Sequence, residues 1–243
     1  MRRNNFIVIP TYNERKTIIA LVPRIVEALP EVRILVADDN SPDGTQEAVK
    51  ELMLTYPQLE LYPHNMKAGY AKACIDAILL LLAREPDLYS VTMMDADLSH
   101  DPSYLPEIMN RLETHNIVIG SRYVRGGGVS GWEWWRRMLS AGGNIYYRTV
   151  SGLPVHDITA GFNAIQADLL RKLGLGNAEA TGYAFTFLLK YRAYMTNEAK
   201  FFEVPIIFKN REEGESKMHL RIILEALRMP WKYPRIKRTR RAP

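Results

Sequence analysis

Apolar residues recur with two alternating periods along the first half of the chain. Short apolar runs predict strands at residues 6–9, 32–37, 59–62, 90–94 and 117–120. Between them, apolar positions three and four apart predict helices. The first covers residues 14–29, with Ile18, Leu21, Val22, Ile25, Val26 and Leu29 on one face. Others cover residues 71–83 and 103–113, and one runs from Ser41 to about Thr55, with Ser41 as its cap and Pro42 in its first turn. Strands separated by helices of this length imply βαβ units: an α/β fold, with a mainly parallel central sheet flanked by helices.

After Arg122 the alternation loosens. Residues 125–128 carry three glycines and read as a hinge or loop. Helices are expected at 132–150, 167–173, 183–194 and 218–227, and strands at 162–166 and at 200–208 through Pro205. No internal repeat or domain boundary stands out. Residues 1–227 are expected to form a single catalytic domain and residues 228–243 a basic C-terminal tail.

Composition narrows the class. The chain has 243 residues, 47% of them hydrophobic, enough for a sizeable core. The one cysteine, Cys74, excludes an internal disulfide, reads as a core residue and suggests a reducing, cytoplasmic setting. Four apolar residues before Pro10 are too few for a signal peptide, and no apolar run reaches the roughly eighteen residues of a membrane span. The net charge of +5 is uneven: from Arg228 onward there are seven Lys/Arg and no acid, with Trp231 and Tyr233 interleaved. Such a segment suits an anionic membrane surface or a solvated tail; nucleic acid is the less favoured partner.

In open parallel sheets the ligand site lies beyond the C-terminal strand ends. Polar residues stand at four of these ends: Thr11-Tyr12-Asn13-Glu14, Asp38-Asp39-Asn40-Ser41, Asp95-Ala96-Asp97 and Ser121-Arg122. Asp95 and Asp97, two residues apart at a strand end, point the same way and can share one divalent cation. Neither a Gly-x-Gly-x-x-Gly nor a Walker A sequence is present, so a nucleotide would be held by carboxylates, a metal and aromatic contacts. Trp132, Trp134 and Trp135 read equally as core, as a groove lining or as membrane-interface residues.

Taken in order, Val8-Ile9-Pro10-Thr11-Tyr12-Asn13-Glu14, Asp38-Asp39-Asn40-Ser41-Pro42-Asp43-Gly44-Thr45, Met94-Asp95-Ala96-Asp97-Leu98-Ser99-His100 and Gly120-Ser121-Arg122-Tyr123 resemble the family 2 inverting glycosyltransferases. More narrowly they resemble the polyprenol-phosphate (dolichol-phosphate) mannosyltransferases. Lys67-Ala68-Gly69, Asp157 to Phe162, Gly182-Tyr183-Ala184-Phe185, and Val204 to Phe208 followed by Arg211 and Ser216-Lys217 extend the likeness to residue 217.

The resemblance implies a GT-A fold (a Rossmann-like nucleotide-diphospho-sugar transferase), a Mg2+ or Mn2+ ion, a nucleotide sugar (GDP-mannose in the nearest members) and a polyprenyl or dolichyl phosphate acceptor. It places Pro10, Tyr12, Glu14 and Asp39 at the nucleoside, and Asp95 and Asp97 at the metal and diphosphate, with Ser99 in the position of a third ligand. Lys67 either assists the diphosphate or is solvated. Arg122, Arg136, Ser140 and Arg211 match acceptor-phosphate positions, and Lys217 flanks the same loop as Arg211. Asp157 is a base, a sugar-hydroxyl acceptor or a loop cap. Two departures stand out: Asn163 replaces the usual arginine after Gly161-Phe162, and Thr186-Phe187-Leu188-Leu189 lacks the family's acidic residue. The expected site of action is peripheral, at the cytosolic face of a membrane; without a span of its own the chain is compatible with an integral-membrane partner. The alternative within the fold is transfer of glucose or another sugar, or transfer to a non-lipid acceptor.

Overall fold

A computed structural model describes residues 3–177, 182–210 and 228–233. The order begins β1 (Asn4–Thr11), α1 (Arg15–Ala28), β2 (Arg33–Asp38), α2 (Thr45–Met53), β3 (Leu59–Pro63), α3 (Tyr70–Arg84) and β4 (Leu88–Met93). It continues with a 3-10 turn (Pro102–Tyr104), α4 (Leu105–Arg111), β5 (Ile117–Ser121), β6 (Gly128–Val129) and α5 (Trp134–Ser151). Then come β7 (Asn163–Gln166), α6 (Ala167–Lys172), α7 (Gly182–Met195), β8 (Phe201–Pro205), β9 (Ile207–Phe208) and a last 3-10 turn (Met229–Lys232).

Seven strands form one sheet in the order β3-β2-β1-β4-β7-β5-β8. All pairs are parallel except those of β7, which runs antiparallel to both β4 and β5. Alternation along β1 sorts its side chains into two cores. Phe6 and Val8 pack in one cluster with Ala73, Ala77 and Leu81 of α3 and Phe185 of α7. Ile7 and Ile9 pack in the other with Ile18, Leu21 and Ile25 of α1 and Ile108 of α4. The sheet is thus covered on both faces, which explains the unbroken apolar runs of its central strands.

The predicted strands and helices of the first half stand, with three revisions. Helix α2 begins at Thr45, not Ser41: Gly44 takes a left-handed φ of 84°, and the Asp43 carboxylate caps the Thr45 amide at 3.1 Å. The Ser41 hydroxyl instead donates to Asp38 at 2.6 Å. The 103–113 helix opens as a 3-10 turn capped by Asp101, whose carboxylate accepts from Ser103 N–H.

In the second half the 200–208 strand breaks at Pro205, because proline cannot supply the next ladder N–H. Its end, β9, pairs instead with β6, so the glycine-rich segment expected as a loop contributes a short strand. Gly127 is needed there: a Cβ would lie 2.5 Å from the Ser121 carbonyl oxygen. Residues 228–233 are seated on the domain: Trp231 Nε1–H donates to the Tyr146 hydroxyl at 2.6 Å, and the Tyr233 ring lies 5.0 Å from that of Tyr191. The predicted 218–227 helix lies outside the described residues.

Candidate active site

The site is built on the C-terminal ends of β1, β2, β4 and β5. At three of these ends the turn contains a non-glycine residue in the left-handed region: Asn13 (φ 62°), Asn40 (φ 59°) and Leu98 (φ 61°). Asparagine tolerates this conformation; a leucine there is held against a strain of about 1–3 kcal/mol. Such outliers concentrate at functional positions because the surrounding contacts fix them.

On the β1/β2 side, two adjacent aspartates have different tasks. Asp38 is fully buried and accepts from Thr11 and Ser41 hydroxyls, the Ser41 N–H and the Gln46 amide, which joins the first two rim turns. Asp39 is buried too; its oxygens accept the Ala68 and Gly69 N–H groups, each at 2.7 Å, and one lies 3.3 Å from His64 Nδ1. Asp39 therefore fastens the turn that carries Lys67. The Lys67 ammonium stands 3.4 Å from the Tyr12 ring centroid, a cation–π contact, so two expected donor-side residues meet directly. Pro10 is buried at the end of β1, and the Glu14 carboxylate accepts from the Thr17 hydroxyl at 2.7 Å.

The acidic pair follows β4. Asp97 is 5% exposed, and its Oδ1 accepts both the N–H and the hydroxyl of Ser99, at 3.1 and 2.5 Å. Ser99, expected as a ligand position, is fully buried and orients that carboxylate. Asp95 is held from several directions. Its N–H donates to His100 Nδ1 at 3.0 Å, which leaves the neutral ring's proton on Nε2, 3.9 Å from the Asp95 carboxylate. His100 in turn stacks on Phe162 at 4.9 Å. Tyr70 adjoins the same carboxylate; burial, then the Asp95 charge, raises its pKa well above the ordinary phenol value, so it stays protonated. His100 and Tyr70 were not singled out from sequence; only the adjacency of His100 to the Asp-x-Asp pair offered a signal.

These residues fit a hard divalent cation. The donors are carboxylate oxygens, the class that Mg2+ and Mn2+ prefer. No group of three or more His, Cys, Asp or Glu suited to a metal occurs among the described residues, so water and phosphate would complete the shell, as is usual for Mg2+. A glycine lies against the pair: a Cβ on Gly161 would sit in van der Waals contact with the two Asp95 oxygens, at 3.4 and 3.5 Å.

Across the rim, Arg122 directly follows β5. Its Nε–H and Nη2–H grip Asp157 in a fork of two 2.7 Å bonds, and its own N–H donates to the same carboxylate at 2.9 Å. Both side chains are buried. Nη2 also donates to the Thr159 hydroxyl, which is held in turn by Asn144 of α5. Asp157 is thus a clamp on Arg122. The rings of Tyr123, Trp132 and Phe208 surround the guanidinium, with centroids 5.3 to 5.8 Å away.

Arg136 lies 4.3 Å from the Trp132 centroid and donates to Asn210 at 3.2 Å. Ser140 accepts from the Tyr123 hydroxyl at 2.7 Å. The structure therefore brings Arg122, Arg136 and Ser140 to one region. Arg211 and Lys217 lie outside the described residues. Of the three tryptophans, Trp132 is buried, whereas Trp134 and Trp135 are exposed on α5 beside Met138 and Leu139.

A twisted α/β sheet whose rim carries a metal-suited carboxylate pair opposite buried and half-buried guanidiniums defines a GT-A glycosyltransferase. The sequence comparisons agree: the glycosyl transferase family 2 profile matches residues 6–174. The chain belongs to that family. It is 40% identical over 228 residues to a polyprenol monophosphomannose synthase of Mycolicibacterium smegmatis, covering 93% of this chain and 84% of the relative. It is 39% identical over 220 residues to an undecaprenyl-phosphate mannosyltransferase of Micrococcus luteus, covering 90% and 89%. Among solved structures, a mannosyltransferase from Pyrobaculum calidifontis in complex with GDP-Man and Mn2+ superposes with a TM-score of 0.58 at 20% identity, covering 88% of this chain and 58% of that one.

Proposed function

We propose that this enzyme transfers mannose from GDP-mannose to a polyprenyl monophosphate at a membrane surface, with inversion and with a divalent cation. The observation that carries the reading is the division of one rim into an acidic side, Asp95 and Asp97, and a cationic side, Arg122 and Arg136, with the Asp157–Gly161 loop between them. The 40% and 39% identical relatives, named for mannosyl transfer to polyprenyl phosphates, support the lipid acceptor and the sugar. The GDP-Man and Mn2+ complex of a protein with the same fold supports the donor and the ion.

In this reading Tyr12, Glu14 and Asp39 line the nucleoside pocket, with Pro10 shaping its floor. Lys67 leaves the Tyr12 ring for the diphosphate when a nucleotide enters. Asp95 and Asp97 would hold the cation, which when bound would supply Lewis-acid stabilisation of the leaving diphosphate. Ser99, His100 and Tyr70 fix the two carboxylates before substrate arrives, so little reorganisation is needed at the moment of transfer.

The acceptor phosphate is already anionic near neutral pH and needs no base; its oxygens need positioning. Asp157 holds the Arg122 guanidinium in one plane. Arg136 adds a half-buried cation to Arg122 on this side, and Arg211 and Lys217, which lie outside the described residues, are assigned to the same phosphate. Attack from this side, opposite the acidic pair, gives inversion in a single displacement.

The exposed face of α5 supports membrane contact. Trp134, Trp135, Met138, Leu139 and Ile145 are all at least half exposed, and Trp231 adds a further indole at 72% exposure. Arg137 and Lys232 stand beside them. Amphipathic rings with flanking cations favour a bilayer interface. No helix among the described residues is long and apolar enough to cross a membrane.

The test is a screen of GDP-mannose, UDP-glucose and other nucleotide sugars against a short polyprenyl phosphate, with Mg2+, Mn2+ or EDTA. Lipid product from GDP-mannose alone, abolished by EDTA and by Asp97→Ala, is the expected result. Equal use of UDP-glucose, transfer only to soluble acceptors, or full activity in EDTA would refute the assignment.

A further inference from the structure

Helix α7 is apolar over most of its length, and every residue from Ala184 to Tyr191 is buried. Near the end of this run stands Lys190, fully buried. A buried ammonium is costly unless it is hydrogen-bonded. A leucine or methionine would pack there without that cost, so the lysine needs a compensating task.

Its partners identify the task. Nζ donates to the backbone carbonyls of Ile158 and Ala160, at 3.1 and 2.9 Å. The Asn163 amide donates to Ala160 and Gly161 carbonyls at 2.8 and 2.9 Å. Asn163, one of the two places where the sequence departs from the family pattern, thus converges with Lys190 on one loop. On the loop's other edge the Glu203 carboxylate of β8 accepts the N–H groups of His156 and Asp157. Lys190 and Asn163 supply donors to the carbonyls, and Glu203 supplies acceptors to the amides. Little of the loop's buried backbone is left to water.

This loop carries Asp157 and Thr159, which hold Arg122, and Gly161, which lies against Asp95. We propose that Lys190 is a positioning residue for the transfer reaction: through the Ile158 and Ala160 carbonyls it sets the loop that orients Arg122 toward the acceptor phosphate. The proposal deepens the function given above and rests on it.

The titration of Lys190 offers a second readout. Burial lowers its pKa to about 7; the Asp157 and Glu203 carboxylates oppose that shift and the Arg122 guanidinium adds to it. His156 pairs with Glu203 at 2.8 Å and is the other titratable group at this edge. A lysine whose folded pKa lies below its unfolded value leaves the unfolded chain holding more protons between the two. Stability from this group therefore rises as the pH climbs from about 7 toward 10.

The experiment compares wild type with Lys190→Met and Lys190→Arg. The exchange of the Arg122 Nε–H with solvent is followed by NMR on 15N-arginine protein, without any substrate. Acceptor and donor KM are measured with polyprenyl phosphate and GDP-mannose. Lys190→Met should keep its melting temperature near neutral pH, lose the alkaline gain in stability, speed Arg122 exchange selectively and raise acceptor KM about tenfold or more. Donor KM should stay within about twofold. Lys190→Arg, which retains a buried cation, should restore slow exchange and part of the acceptor affinity.

Unchanged Arg122 exchange in a folded Lys190→Met protein would overturn the proposal. Faster exchange at every arginine together, with equal losses for donor and acceptor, would overturn it as well, leaving only a packing role. Selective exchange at Arg122 in an enzyme that ignores polyprenyl phosphate would keep the positioning link and reject the acceptor.

Discussion

Replacing Asp157 separates a clamp from a base. Asp157 is fully buried and accepts three bonds of 2.9 Å or shorter from Arg122 alone. Summed singly at about 1.5–3 kcal/mol for each charged bond, these would suggest a loss near 4–9 kcal/mol. That sum overcounts, because bonds of one pair share a single desolvation cost. Breaking a buried ion pair from one side costs about 3–5 kcal/mol, and this is the expected destabilisation of Asp157→Ala. For a chain of this size it corresponds to a fall in melting temperature of about 6–20 °C. Exchanging both partners for apolar residues removes the stranded charge, so Arg122→Met/Asp157→Leu should be markedly less destabilised than Asp157→Ala alone. Denaturant unfolding of the single and double variants closes the cycle. In kinetics, Asp157→Asn should raise acceptor KM while the pH dependence of kcat keeps its shape. A fully stable Asp157→Asn enzyme with kcat lost and the acid limb of its pH profile removed would show that Asp157 takes a proton, and the clamp reading would fail.

Two further outcomes can be checked simply. Asp101 bonds Lys209 at 2.8 Å; burial works against its ionisation, but the Lys209 and Ser103 bonds prevail and lower its pKa to about 2. Its stabilising effect is complete above the unfolded pKa near 4 and disappears as the pH falls through 2, so Asp101→Asn should flatten the acid limb of the stability profile over that window. Trp134→Ser/Trp135→Ser should weaken sedimentation with anionic vesicles by about tenfold while leaving donor KM unchanged; equal vesicle binding would remove α5 as the contact face.

Much of this architecture was legible because local pattern and tertiary burial agree. The runs at Phe6–Ile9 and Val32–Ala37 are apolar throughout because both faces of the sheet are covered. The spacing of Asp95 and Asp97 needed only the period of a strand. Other features depend on partners distant in sequence. Asp38 and Asp39 look alike in the chain, yet one ties turns together and the other fastens the Lys67 segment, 28 positions on. Asp157 left three roles open until Arg122 was seen in its fork. Lys190 gave no periodic signal, since a helix buried without a break from Ala184 to Tyr191 hides a charge from amphipathic analysis. The antiparallel sense of β7 was equally silent, as alternation of apolar residues carries no strand direction.

That reversed strand has a consequence for how such enzymes diversify. The residues assigned above to nucleotide and cation, from Pro10 to Asp97, all precede Ser121, whereas Arg122, Arg136 and Ser140, assigned to the acceptor, follow it. Strand β7 is the seam: it lies between β4 of the earlier cassette and β5, and it delivers its preceding segment to the shared edge without a helical crossover. On the proposed assignment, a change of length or chemistry in the later cassette would alter what is glycosylated and leave the nucleotide side in place.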